Sequence, residues 1–206
     1  MALSSHVASA DPKAIESHLR DIKKRFLPTN SWLGESNRYS KDTLNRIDID
    51  SETNYIRSRH LAEYIAASAV LHLYDGWSHF SRGIESLISG DIGSAIHFIY
   101  YAELRSTMSL LGREGIGVFN KKHFVVDSPM QISKLPMSLR THQFVPEAIV
   151  AWAKQAKNSQ TLFDSIKVRG KSFSEWFAAA GKTSGSPPSV RLANDWLNEW
   201  SLDLRY

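Results

Sequence analysis

One stretch, residues 95–111 (AIHFIYYAELRSTMSLL), constrains the fold more than any other part of the chain. Wound into a helix at about 100° per residue, it places apolar side chains in every sector. Ile99, Ala102 and Leu110 fall on one side, and Ile96, Tyr100, Leu104, Met108 and Leu111 on the other. A helix that is apolar all round belongs at the centre of its domain. This one also carries His97, Glu103 and Arg105. Glu103 and Arg105 stand about 160° apart, so they cannot pair with each other. His97, Tyr101 and Arg105, at i, i+4 and i+8, make one polar stripe that Ser109 extends. A buried Arg keeps its charge, and leaving it unpaired costs several kcal/mol. Arg105 therefore needs a carboxylate, a helix C-terminus or an anion such as phosphate. A buried ion pair or bonds to carbonyls is the plain explanation; an anion or RNA-phosphate site is the functional one. Tyr101 reads as a core or interface residue, and Glu103 as an internal ion-pair partner for Arg82 or Arg113.

The rest of the chain also reads as helical. Asp11-Pro12 is a start signal, Ile15, Leu19, Ile22 and Phe26 repeat at helical spacing, and Pro28 is the expected stop. Residues 29–50 read as a long connection, which in a compact domain is functional or mobile. A long helical pattern follows Ser51 and Asn54, with Asp75-Gly76 as an expected break and Gly90-Asp91 as the stop and next N-cap. Residues 117–126 (GVFNKKHFVV) predict a strand or hairpin turning at Asn120-Lys121. Helices are expected over 141–157, 159–166, 172–180 and 189–204, with a loop at 181–188. The domain reading is an N-terminal helix and connection (1–50), a helical core (51–180), and a linker with a C-terminal helix (181–206). The amphipathic pattern still runs at Tyr206, which suggests docking on the body or continuation in a missing or partner segment.

Composition narrows the class. The chain has 206 residues, 42% hydrophobic and 22% charged, which is globular and large enough for a core. It has no cysteine, which excludes disulfides, a thiol nucleophile, thiolate zinc and iron–sulfur clusters, and fits a reducing cytoplasm. Residues 1–10 lack a signal-peptide pattern, and the apolar stretches are broken by charged residues or His, so no membrane role is expected. The net charge is +4, with basic clusters at Arg20/Lys23/Lys24/Arg25, Lys121/Lys122/His123 and Lys167/Arg169/Lys171. Each suits phosphates and equally suits a solvated face. The aromatic residues sit inside apolar patterns and do not alternate with basic ones as a single-strand stacking platform would.

The remaining chemistry-bearing residues are scattered. His72, Asp75 and His79 share a helix face and raise a metal reading, against ordinary surface or interface histidines. His60 is expected to be exposed. His123 beside Lys121 and Lys122 suits phosphate contact or a solvated turn. His142 opens a helix behind Thr141, where capping explains the pair equally well. Residues 112–117 (GREGIG) follow a helix and lack the Lys-Ser/Thr of a P-loop, and no G-x-S-x-G or H-E-x-x-H pattern occurs. No cofactor and no metal are expected.

Residues 77–90 (WSHFSRGIESLISG), then 95–117 with their YYAELR core, then His123 and Thr141-His142, resemble bacterial HEPN-like helical proteins of toxin–antitoxin and anti-phage type. The resemblance covers about a third of the chain directly. It implies an all-α, HEPN-like helical bundle with a small extended or β-hairpin insertion near 116–127. It also implies a homodimer, or a partner protein of a multi-component system, with RNA or DNA contact. In the ribonucleases of that family, an Arg and a His in the pattern R-x(4–6)-H act on the scissile phosphate and the 2′-OH or leaving group. Here no His follows Arg105 at that spacing; the next is His123. The leading expectation is thus an interaction or accessory module. The alternative is a metal-independent endoribonuclease with Arg105 on the phosphate, His123 or His142 in acid–base work, and Lys121 and Lys122 on the nucleic acid. A small-molecule sensor using the Arg105 stripe is a third reading.

Overall fold

A computed structural model describes residues 3–53, 56–128 and 131–179. The linker expected at 181–188 and the helix expected at 189–204 lie outside the described residues. The chain divides into two units, residues 9–141 and residues 1–8 with 142–206. Helix α1 (Leu3–Ala8) belongs to the latter.

In the 9–141 unit, α2 (Pro12–Thr29) begins as its sequence dictates: the Asp11 carboxylate accepts from the Lys13 amide at 3.0 Å, and Pro12 starts the first turn. Pro28 does not stop it. The helix runs one residue further and ends at Asn30, whose left-handed backbone (φ 53°) lets its amide donate to the Phe26 carbonyl. The expected connection over 29–50 contains a helix, α3 (Thr43–Glu52). Its buried residues are Ile47, Asp50 and Ser51, so its inward face is largely polar and leaves no apolar periodicity to read.

Helices α4 (Ser58–Ile88) and α5 (Ile92–Arg113) form a long antiparallel hairpin. Gly90 (φ 82°) turns the chain and the Asp91 carboxylate accepts from the Ser94 amide at 3.0 Å. Asp75-Gly76 does not break α4, because Gly76 is where α5 comes close. A Cβ at Gly76 would lie 2.7 Å from Ser106 Oγ and 3.4 Å from the Ala102 carbonyl oxygen. One at Gly83 would lie 2.8 Å from Ile99 Cδ1. Glycine inside a helix costs about 1 kcal/mol relative to alanine, and here close helix packing offsets it.

Strands β1 (Ile116–Phe119), β2 (Lys122–Ser128) and β3 (Gln131–Lys134) follow as an antiparallel sheet in that order. The turn falls on Asn120 (φ 43°), and Val118 pairs with His123. The sequence pattern predicts the hairpin but not β3, whose four residues (QISK) carry one apolar side chain. The chain is thus mostly helical with a small three-stranded antiparallel insertion. Ile15 and Ile22 of α2, Ile47 of α3, Leu61 and Ile65 of α4, and Phe119, Phe124 and Val126 of the sheet form one core with Tyr39.

In the other unit, the helices expected over 141–157 and 159–166 are α6 (Thr141–Ala153) and α7 (Ala156–Ser165), with the break between them a few residues earlier than expected. A two-stranded hairpin, β4 (Lys167–Val168) and β5 (Lys171–Ser172), turns on Arg169 and Gly170, both at positive φ, and carries the third basic cluster. Helix α8 (Phe173–Ala179) opens on a capping box: Ser172 N donates to Glu175 Oε2 at 2.6 Å and Glu175 N to Ser172 Oγ at 3.2 Å.

Candidate functional site

The α4–α5 hairpin has two unlike faces. Along one, His72, Asp75 and His79 of α4 meet the α5 stripe that the sequence singled out. Arg105 Nη1 donates to His72 Nδ1 at 3.2 Å, and Arg105 Nε lies 3.9 Å from Asp75 Oδ2. The Arg105 side chain is 33% exposed and that of Asp75 55%. Arg105 is therefore neither fully buried nor tightly paired. Burial, reinforced by the Arg105 charge, pushes His72 down to about 4, against the pull of Asp75. A neutral imidazole can accept the guanidinium proton through Nδ1. The same cation argues against a metal on His72, and among the described residues no three His, Cys, Asp or Glu side chains are arranged to hold one.

Next to Arg105 the rings form a row. The His79 ring centroid lies 5.4 Å from that of Tyr101 and 6.1 Å from that of Phe98. His97 lies 4.9 Å from Tyr101, and Tyr100 5.3 Å from Tyr101. Among the described residues, His79 Nδ1 and Arg105 Nε are buried atoms without a hydrogen-bond partner. A recess beside His72, lined by Ile65, Ala69, Met108, Gly112 and β1, has about 10 Å³, room for a water and no organic ligand.

The opposite face is apolar and exposed. Leu73, Trp77, Phe80, Ile84 and Leu87 recur at spacings of four and three, roughly a quarter turn round α4 from Gly76 and Gly83. Helical phase puts Ile92 and Ile96 of α5 on the same side. Trp77 is 62% exposed, Ile88 82% and Ile96 66%. The helix expected to be central is thus central only in part. Ala102, Leu104, Met108 and Leu111 are buried, while Ile96 near the hairpin tip is not.

The other sequence-predicted residues do not join Arg105. Glu103 pairs with neither Arg82 nor Arg113 among the described ion pairs; Arg113 binds Glu114 and lies 4.0 Å from Glu16. His123 is fully buried on β2, its Nε2 2.8 Å from the Leu139 carbonyl oxygen, and burial pushes it down to about 4. That is a sheet-core histidine and not a solvated turn. Lys122 is taken by Asp48 at 2.7 Å, and Lys121 stands exposed at the turn. His142 is exposed in the first turn of α6, in the unit that does not contain Arg105. His60 is half-buried and not exposed: its Nδ1 accepts from the Arg38 amide at 3.1 Å.

A polar network lies where the sequence suggested a loose loop. The Asp50 carboxylate accepts from Arg38 Nε and Nη2, both at 2.7 Å, and from Tyr39 OH at 2.9 Å. The Arg38 bonds hold Asp50 below the usual carboxylate range against its burial. Burial first, then the bond to Asp50, push Tyr39 up to about 12, although the Arg57 amide donates to it. Glu63 accepts from Arg25, Asn37 and the Gly34 amide. Burial works to raise Glu63, and these bonds together bring it below its ordinary value. The sequence signal, polar residues in 29–50, was visible but carried no partner information.

No protein-family model, curated protein or solved structure matches this chain.

Proposed function

We propose that this chain is a HEPN-like helical interaction module of a bacterial defence or toxin–antitoxin type assembly, acting in the cytoplasm as a pair of copies joined through the apolar face of the α4–α5 hairpin. The observation that carries the reading is that face. Its exposed side chains offer on the order of 1,000 Å² of apolar surface, beyond the 300–600 Å² typical of the largest patch on a monomer and near the roughly 800 Å² each partner of a stable complex buries. The alternating spacing of Leu73, Trp77, Phe80, Ile84 and Leu87 is what a neighbouring helix needs for knobs-into-holes packing. Asp75, Arg82 and Glu85 fall in other sectors of α4, so no charge of α4 interrupts the seam, and Glu103, two turns beyond Ile96 on α5, borders it. A two-helix layer with one apolar side is half of a four-helix bundle, and a two-fold axis lets one surface serve both copies.

Native mass tests this directly. The purified protein should run at twice the chain mass, and Trp77→Asp and Ile84→Asp should each halve it without loss of helical circular dichroism. A wild-type monomer at tens of micromolar, the range of weak association, would overturn the pairing.

One observation favours the endoribonuclease as a second reading: Arg105 is partly exposed and bonded to a histidine, His72. Its test is RNA cleavage that Arg105→Ala abolishes in a folded protein. Absence of cleavage by the wild type would remove it.

A further inference from the structure

We infer that the polar face of the α4–α5 hairpin binds single-stranded nucleic acid, with a base stacked on the Tyr101–His97 ring row and the adjoining phosphate on Arg105. The aromatic residues of the sequence do not alternate with basic ones, yet the hairpin brings a row of rings and Arg105 together across two helices. His79 comes from α4; His97, Phe98 and Tyr101 come from α5, and their centroids lie 4.9 to 6.1 Å apart. Rings beside a cation are the two parts of a strand-binding surface: every base has a face to stack, and each stacked base contributes about 5- to 150-fold in affinity.

The cation is available. Arg105 meets Asp75 only at 3.9 Å, and both side chains are partly exposed. A pair that long and solvated is weak, so a phosphate oxygen can replace the carboxylate. Arg105 Nη1 is held by His72 and Nε is buried, so among the described residues Nη2 is the donor left for that oxygen. Arg82, one turn beyond His79 on α4, adds a second positive charge along this side.

The ligand is a strand and not a free nucleotide because of the shape of the surface. The rings lie in a row along the hairpin, His97 exposed and His79, Phe98 and Tyr101 half-buried, and the recess beside His72 has about 10 Å³. A free nucleotide needs a concave site to cover it. Such a row suits a chain that lies across it. The inference does not depend on pairing of copies, since the apolar seam lies on the other side of the hairpin.

Fluorescence anisotropy with a labelled oligouridylate of about twelve nucleotides, a length that spans one such surface, tests it. Wild-type protein should bind in low salt. Tyr101→Leu and Arg105→Ala should each weaken binding about 10-fold, whereas Tyr101→Phe, which keeps the ring, should stay within about twofold. Asp75→Asn should tighten it. Lys23→Ala with Lys24→Ala, a basic cluster elsewhere, should change it less than about twofold. The monomeric Trp77→Asp variant should bind as wild type does, which separates this inference from the pairing. No binding at about 100 μM, a weak non-specific range, would overturn it, as would equal binding by the Tyr101→Leu and Arg105→Ala variants. So would equal competition by duplex RNA, which hides its bases, or by adenosine monophosphate at the same nucleotide concentration.

Discussion

Replacing Asp50 with alanine removes the acceptor at the centre of the polar network between α3 and the segment before it. Three hydrogen bonds disappear, two from Arg38 and one from Tyr39. The consequences differ at the two donors. The Tyr39 side chain is fully buried, so its hydroxyl loses its acceptor with no solvent to replace it, at about 1–3 kcal/mol. Arg38 is 32% exposed and rehydrates, which limits its share to about 1 kcal/mol. The sum is about 3 kcal/mol, or a fall in Tm of roughly 10 °C for a unit of this size. Arg38→Ala should cost more, about 3–5 kcal/mol, because it leaves the buried carboxylate charged and held by Tyr39 alone. The double variant should be less destabilised than the two singles added together. Thermal unfolding followed by circular dichroism at pH 7 measures all three. Asp50→Ala within about 3 °C of wild type, or Arg38→Ala milder than Asp50→Ala, would refute the assignment of Asp50 as a charged anchor.

Three further outcomes are expected. Arg105→Ala should lower Tm by less than about 3 °C, since a long, exposed pair contributes about 0–1 kcal/mol; a large fall would mean that Arg105 is a structural core pair. Stability should decline as pH falls from about 6.5 to 4. His72 and His123 are held near 4 when folded and titrate near 6.5 when unfolded, so the unfolded chain takes up protons first; a Tm that stays level across that window contradicts both burials. Gly76→Val should destabilise by about 1–3 kcal/mol because its methyls are driven into the Ala102–Ser106 turn of α5. Gly76→Ala should be milder, its helix propensity offsetting part of the contact, and equal Tm values for the two variants would show that α5 does not approach Gly76 so closely.

What the sequence determined by itself was local. Asp11-Pro12, Gly90-Asp91 and Asn120 act through their own backbone angles and side chains within two or three residues, so their helix starts, stop and turn were legible. The stripe of His97, Tyr101 and Arg105 was legible for the same reason, since helical phase alone groups it. Tertiary structure decided everything that needed a second element. Gly76 looked like a helix breaker until α5 supplied the packing that keeps α4 continuous. The partner of Arg105 turned out to be His72 and Asp75, 33 and 30 residues earlier, and no spacing rule reaches that far. Asp50 and His123 carry the residue types of a solvated loop, and each is buried because Arg38 and the Leu139 carbonyl satisfy it. Residues 95–111 show the limit most plainly. Periodicity established that the helix is apolar on all sides, but before Ala102 the fold buries only Ala95 and leaves Ile96 to solvent. An apolar sector states that surface must be covered; only the arrangement of α2, the sheet and the hairpin decides how much of it this chain can cover.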